Sequence, residues 1–204
     1  MGKEIELKVI GINPKKTKER LKTINARFKG HFVLQRVTFQ GSRSGEIKDY
    51  KSNASNEEYY TSWIRVRTNG KKTTLTLKEQ YGTGIAKRFE YEVEVSDFAT
   101  TVKILKKSMP EASYNYMVTT RDVYELGDII FTIDKWPYLP YQIEIEGTTE
   151  RKVKAAYNKL KPNGKITPNL AVSDEEYYRL NGINYKKLIA EYDAKLNKLL
   201  SKVK

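Results

Sequence analysis

The chain has 204 residues, a formal net charge of +13 at pH 7 and no cysteine. Disulfides and thiolate metal centres are therefore excluded, and no apolar run approaches the ~18 residues of a membrane span. A cytoplasmic protein with one core-forming domain is expected, and a partner in the membrane is not.

In chain order, residues 3–10 read as a strand that starts directly after Met1-Gly2, so no signal peptide is expected. Asn13-Pro14 opens a helix, with Asn13 as cap and Pro14 in its first turn. Leu21, Ile24 and Phe28 give this helix an apolar stripe to about residue 28. A strand follows near 32–40, and residues 41–57 read as a polar loop with no periodicity. Strands near 60–68 and 72–80 flank Asn69-Gly70, a hairpin signal. After Tyr81-Gly82-Thr83-Gly84 comes a strand at about 86–95. Ser96 is expected to cap a helix over 97–108. Strands near 115–126, 128–134 and 141–146 come next, then a helix from Thr149 through Leu160. Ser173-Asp174-Glu175-Glu176 is a capping box before another helix. A last amphipathic helix covers about 185–200, with Leu188, Tyr192, Leu196 and Leu199 on one side.

Side chains two apart in a strand point the same way. Glu4, Glu6 and Lys8 thus share one face, opposite Ile5, Leu7 and Val9. Glu144 and Glu146 share a face opposite Ile143 and Ile145. An antiparallel sheet with one wet face also alternates polar and apolar. Here, however, the polar parity carries charge in nearly every strand. It holds Arg65 and Arg67, then Lys78, then Arg88, Glu90 and Glu92; Arg121 and Asp134 lie in two further strands. Adjacent like charges repel unless a counter-charge intervenes, so paired carboxylates at both ends of the domain suggest a divalent metal site. Eight antiparallel strands can close into a barrel and remove their edges. With the apolar parity turned outward under helices, the charged parity is left to line the lumen.

The net charge of +13 favours polyanions. Nucleotides and nucleic acid both qualify, nucleic acid being the less favoured. Much of the excess is diffuse, on Lys15, Lys16, Lys18, Lys22, Lys103, Lys106 and Lys107, where solvated helix faces explain it. His31, the single histidine, reads as a surface or capping residue between a helix and a strand. Trp136 and Tyr138 read as packing residues in a Pro-rich connection, with base stacking the minority alternative. Tyr177, Tyr178, Tyr185 and Tyr192 read as helix-to-barrel packing.

Glu4-x-Glu6-x-Lys8, Trp63-Ile-Arg-Val-Arg67, Thr74-Leu-Thr-Leu-Lys78, Arg88 to Glu94, and Thr132-Ile-Asp-Lys-Trp-Pro137 through Gln142-Ile-Glu-Ile-Glu-Gly147 occur in that order. Over residues 1–160 this series resembles the CYTH superfamily, the triphosphate tunnel metalloenzymes. The resemblance implies an α+β fold: an eight-stranded antiparallel tunnel with surrounding helices, here over 1–160, with a C-terminal helical extension over 161–204 packed on it. It implies Mg²⁺ or Mn²⁺ held by Glu4, Glu6, Asp134, Glu144 and Glu146. It implies a phosphate grip by Lys8, Arg65, Arg67, Lys78 and Arg121, with Arg88, Glu90 and Glu92 on a strand of variable role. The implied activity is metal-dependent hydrolysis of inorganic tripolyphosphate or a nucleoside triphosphate. A class IV adenylyl cyclase is the alternative, as is a non-catalytic binder of triphosphate ends such as those of RNA. The oligomeric state is left open, a homodimer being one option.

Overall fold

The computed structural model describes residues 2–40, 60–81, 88–167 and 174–202. The expected 41–57 loop and the 81–84 turn lie, wholly or nearly so, outside the described residues, as does Ser173 of the capping box. The strands are β1 (Gly2–Glu4), β2 (Glu6–Ile10), β3 (Arg27–Gln40), β4 (Tyr60–Thr68), β5 (Thr73–Tyr81), β6 (Arg88–Val95), β7 (Tyr114–Leu126), β8 (Ile129–Lys135), β9 (Gln142–Glu146) and β10 (Lys165–Thr167). The helices are α1 (Pro14–Thr23), α2 (Phe98–Ser108), α3 (Glu150–Leu160), α4 (Asp174–Leu180) and α5 (Tyr185–Leu200).

All described strands belong to one antiparallel sheet in the order β1-β6-β5-β4-β3-β7-β8-β9-β2-β10. β1 and β2 are one chain segment interrupted at Ile5. Its first part pairs with β6 (Glu4 opposite Arg88) and its second with β9 (Glu6 opposite Glu146, Lys8 opposite Glu144). The segment Gly2–Ile10 thereby serves both ends of the curled sheet. This is the expected eight-stranded tunnel with two differences in count. The first strand is divided at Ile5, and β10 adds a short strand beside β2.

Most of the core lies on the convex side of the sheet. The apolar parity of β2, β8 and β9 (Ile5, Leu7, Val9, Phe131, Ile133, Ile143, Ile145) packs under Leu21 of α1 and Val153, Ala156 and Leu160 of α3. On the other flank, Val37, Phe39, Val66 and Tyr116 pack under Phe98 and Val102 of α2 and Leu196 of α5. A third cluster lies on the opposite face: Met117, the cross-strand partner of Arg36, joins Leu139, Tyr178 of α4 and Leu188 of α5. Each fully buried aliphatic or aromatic side chain contributes roughly 1.5–3 kcal/mol. Gly147 marks one close approach: a Cβ there would sit 2.5 Å from Ile129 Cδ1. Among the described residues no helix is long and apolar enough to cross a membrane.

Several local expectations are corrected. α1 ends at Thr23, because Asn25 adopts a left-handed φ of 63° and the Ala26 N–H bonds back to the Leu21 carbonyl. Phe28 is consequently an exposed strand residue, its ring 5.1 Å from that of Tyr124. The cap of α2 is Asp97, which accepts from the Thr100 N–H at 2.6 Å, in place of Ser96. His31 is a surface residue as expected, but it lies within β3, its Nδ1 2.7 Å from Asp122 Oδ1. Tyr138 is exposed, whereas Trp136 packs against the third cluster.

Candidate functional site

Because the apolar parity of each strand is taken up by the helices, the opposite parity faces the concave side of the sheet. β4 places Trp63, Arg65 and Arg67 there, and β5 places Thr76, Lys78 and Gln80. β6 adds Arg88, Glu90 and Glu92; β2 adds Glu6 and Lys8; β9, β8 and β7 add Glu144, Asp134 and Arg121. The register brings these into rows. Lys8 is the cross-strand partner of Glu144, and Arg121 that of Asp134.

One row is a chain of charges across four strands. Lys8 Nζ lies 2.8 Å from Glu144 Oε1. The other Glu144 oxygen accepts from Arg121 Nη2 at 2.9 Å. Arg121 also forks onto Asp134, donating from Nε and Nη2 at 2.7 and 2.6 Å. Burial works against the charge on Glu144, but Lys8 and Arg121 outweigh it and hold the carboxyl well below its ordinary range. Burial would likewise lower Lys8 and Arg121; their carboxylate partners raise both. Asp134 moves the other way. Burial and the neighbouring Glu144 push its carboxyl up in spite of Arg121.

A second group sits on β5, β6 and β2. Arg88 Nη1 donates to Glu6 Oε1 at 2.5 Å, and Arg88 Nε donates to Gln80 Oε1 at 3.1 Å. The Arg88 guanidinium lies 5.6 Å from the centre of the Trp63 ring. Lys78 pairs with Glu90, and Thr76 donates to Glu92 at 2.8 Å.

Arg67 differs from all of these. Among the described residues it makes no ion pair and no hydrogen bond. Repulsion by Arg65, then burial, then Arg121 push its guanidinium down to about 9. Glu92 and Glu144 offset this only in part, so among the described residues Arg67 carries a crowded positive charge that no carboxylate contacts.

The candidate metal ligands are distributed unevenly. Glu6 and Asp134 are buried, Glu144 is partly so, and Glu146 is exposed. The backbone of Glu4 pairs with β6 opposite Arg88; its side chain lies outside the described residues. Among the described residues no three acidic or histidine side chains are gathered closely enough to hold a metal. Oxygen donors on neighbouring strands suit a hard divalent cation, and Glu6 and Glu146 are direct cross-strand partners. In this arrangement, however, internal cations occupy Glu6, Glu144 and Asp134.

Two inward residues escaped the sequence reading. Arg36 of β3 is the cross-strand partner of Arg67 and Met117, and its guanidinium stacks 3.9 Å over the Trp136 ring. Gln80 is fully buried beside Arg88. Both share the parity of charged neighbours, which is the signal that would have found them.

Comparison with known proteins places this geometry. The fold is similar to that of PH1012 from Pyrococcus horikoshii OT3 (TM-score 0.65, 20% identity, covering 82% of this chain and 96% of that one). It is similar to a conserved hypothetical protein of Pyrococcus furiosus (TM-score 0.63, 21% identity, 82% and 97%). It also resembles HpAC1 from Hippeastrum, an adenylyl cyclase candidate with a dominant triphosphatase activity (TM-score 0.52, 16% identity, 89% and 97%). No curated protein matches the sequence. The family description for the CYTH domain matches residues 50–177, well over half of the sequence, and the chain belongs to the CYTH family.

Proposed function

We propose that the protein is a divalent-metal-dependent triphosphatase that draws an inorganic or nucleoside triphosphate into the tunnel and hydrolyses its terminal anhydride. The observation that carries this reading is Arg67. A crowded guanidinium with no carboxylate in contact among the described residues, repelled by Arg65 and Arg121, calls for an anion. A chain of phosphates supplies several negative charges to a wall that presents Arg65 and Arg67 on one face of a single strand.

The roles follow from the geometry. Arg65, Arg67 and Arg121 present guanidiniums, whose planar forks match phosphoryl oxygens. Lys8 and Lys78 supply point charges from the strands on either side. As charge spreads over the transferred phosphoryl group, Arg65 and Arg67, side by side on β4, can stabilise it. Glu4, Glu6, Asp134, Glu144 and Glu146 would hold Mg²⁺ or Mn²⁺. When bound, such an ion neutralises phosphate charge and acidifies water. For this, the carboxylates must exchange the cations that now hold them.

The structural neighbour HpAC1 is described as having a dominant triphosphatase activity, which agrees with hydrolysis as the leading reading. Cyclisation of ATP would use the same wall with a different substrate orientation. Incubation with tripolyphosphate or ATP and Mg²⁺ or Mn²⁺ separates the readings. Orthophosphate release is expected. Cyclic AMP with pyrophosphate would assign a cyclase, and tight binding without turnover would reduce the protein to a triphosphate binder.

A further inference from the structure

We propose that Arg88 is a resident counter-ion that keeps Glu6 from a divalent metal until a polyanion draws the guanidinium away. The inference deepens the triphosphatase reading and rests on it for the identity of the polyanion.

Glu6 is almost fully buried, with a relative exposure of 4%. A buried carboxylate must be paired, and the Arg88 Nη1 contact at 2.5 Å meets that need without any metal. The partner is also held in place. Its Nε donates to the fully buried Gln80 at 3.1 Å, and its guanidinium lies 5.6 Å from the Trp63 ring. A divalent ion on Glu6 would therefore meet a guanidinium fixed on the same oxygen. Two cations competing for one buried carboxylate repel, so the ion binds only when Arg88 leaves.

The strand geometry says which partner moves. Glu6 sits on β2, its backbone paired with Glu146 of β9, and two residues earlier the same segment is paired with β6 at Glu4. Arg88 is the first described residue of β6, and its guanidinium, tied to Glu6 and Gln80 by hydrogen bonds alone, ends a long unbranched side chain. An anion against the nearby Lys78 offers a second docking place for the guanidinium. A polyanion that accepts Arg88 releases Glu6, and the released Glu6 accepts metal. Coupling of this kind is reciprocal, so metal must raise polyanion affinity by the same factor. The same logic extends to Glu144, held by Lys8 and Arg121.

The test is calorimetric titration of Mn²⁺ into the wild-type protein and Arg88→Gln, each alone and with a non-hydrolysable imido analogue of tripolyphosphate. Arg88→Gln alone should bind Mn²⁺ at least tenfold tighter than wild type alone. Wild type should approach that affinity only when the analogue is present. The double variant Arg88→Gln/Glu6→Gln should lose the gain. Should Arg88→Gln fail to fold, Arg88→Lys, which cannot reach both Gln80 and Glu6, should show a smaller gain in the same direction. An Mn²⁺ affinity unchanged or weakened in the folded variant overturns the guard at Glu6, as does a gain that survives Glu6→Gln. An analogue that binds neither protein refutes instead the triphosphate reading on which the release step rests.

Discussion

Replacing Arg67 by methionine should stabilise the empty protein. The depression of its guanidinium from 12.5 to about 9 corresponds to about 5 kcal/mol of unfavourable environment for the charged form, at roughly 1.4 kcal/mol per tenfold change in proton affinity. That figure is a ceiling. Water in the tunnel and the effective dielectric of protein sites screen the repulsion, which leaves a net gain of about 1–3 kcal/mol. Methionine keeps an unbranched apolar stem, so the packing of the side chain is largely retained. For a protein of this size, each kcal/mol moves Tm by about 2–4 °C. Thermal unfolding followed by circular dichroism should thus show a rise of several degrees in Arg67→Met without ligand. Tripolyphosphate should raise the wild-type Tm and raise that of Arg67→Met much less, because binding to the native state stabilises it in proportion to affinity. An empty Arg67→Met protein that melts below wild type would show that Arg67 contributes to the fold, and the anion-site reasoning would fail.

Arg67→Lys keeps the charge but loses the fork, and should lower kcat on the best triphosphate by on the order of tenfold while KM changes less; wild-type kinetics in this variant would mark Arg67 as a bystander. Glu6→Gln and Glu146→Gln should each nearly abolish turnover while circular dichroism reports an intact fold; most activity retained by both at saturating metal would remove them from the ligand set. Glu144 is held well below its ordinary value of 4.5, so its pairing stabilises the protein above the unfolded-state pKa and is lost as pH falls through the lower, folded value. Urea midpoints between about pH 3 and 7 should fall less steeply toward acid in Glu144→Gln than in wild type, and equal slopes would contradict this. Leu196→Ala, at a fully buried position beneath α5, should cost about 2–5 kcal/mol, read as a lower urea midpoint; a loss under 1 kcal/mol would mean that α5 contributes little to the second cluster.

The charge parity made the tunnel legible before its coordinates. Lys8, Arg65, Arg67, Lys78, Arg88, Arg121, Asp134 and Glu144 all lie on the concave face, because a two-residue period fixes a face once the opposite one is buried. What the period cannot supply is which cation meets which carboxylate. That depends on register between strands far apart in sequence, and it turned an expected carboxylate cluster into ion pairs such as Arg88–Glu6 and Arg121–Asp134. Helix ends failed for local reasons. Ile24 continues the apolar spacing of α1, but Asn25 takes the left-handed conformation that ends it. Ser96 and Asp97 are both competent caps, and only the reach of Asp97 to the Thr100 N–H decides between them. β10 has three residues and little alternation of its own; its strand character comes from pairing with Ile10, Val9 and Lys8.

The placement of stability and function on opposite faces of one sheet explains how such a lumen is tolerated. A buried ion pair seldom improves on an apolar pair of the same volume, so the tunnel charges are poor candidates for what holds the sheet together. Burial of Val9, Phe131, Ile143 and Ile145 under α1 and α3, and of Val37, Phe39 and Val66 under α2 and α5, supplies that instead. The inner residues then need only avoid unpaired charge. Glu6, Glu144 and Asp134 satisfy this through Arg88, Lys8 and Arg121, and Arg67 is the exception among the described residues. An uncompensated charge persists in a fold when the surrounding structure over-determines it, as the paired strands β3 and β5 do on either side of β4. Its cost is then recovered when a ligand of opposite sign arrives, so the same arginine that weakens the empty protein strengthens the complex.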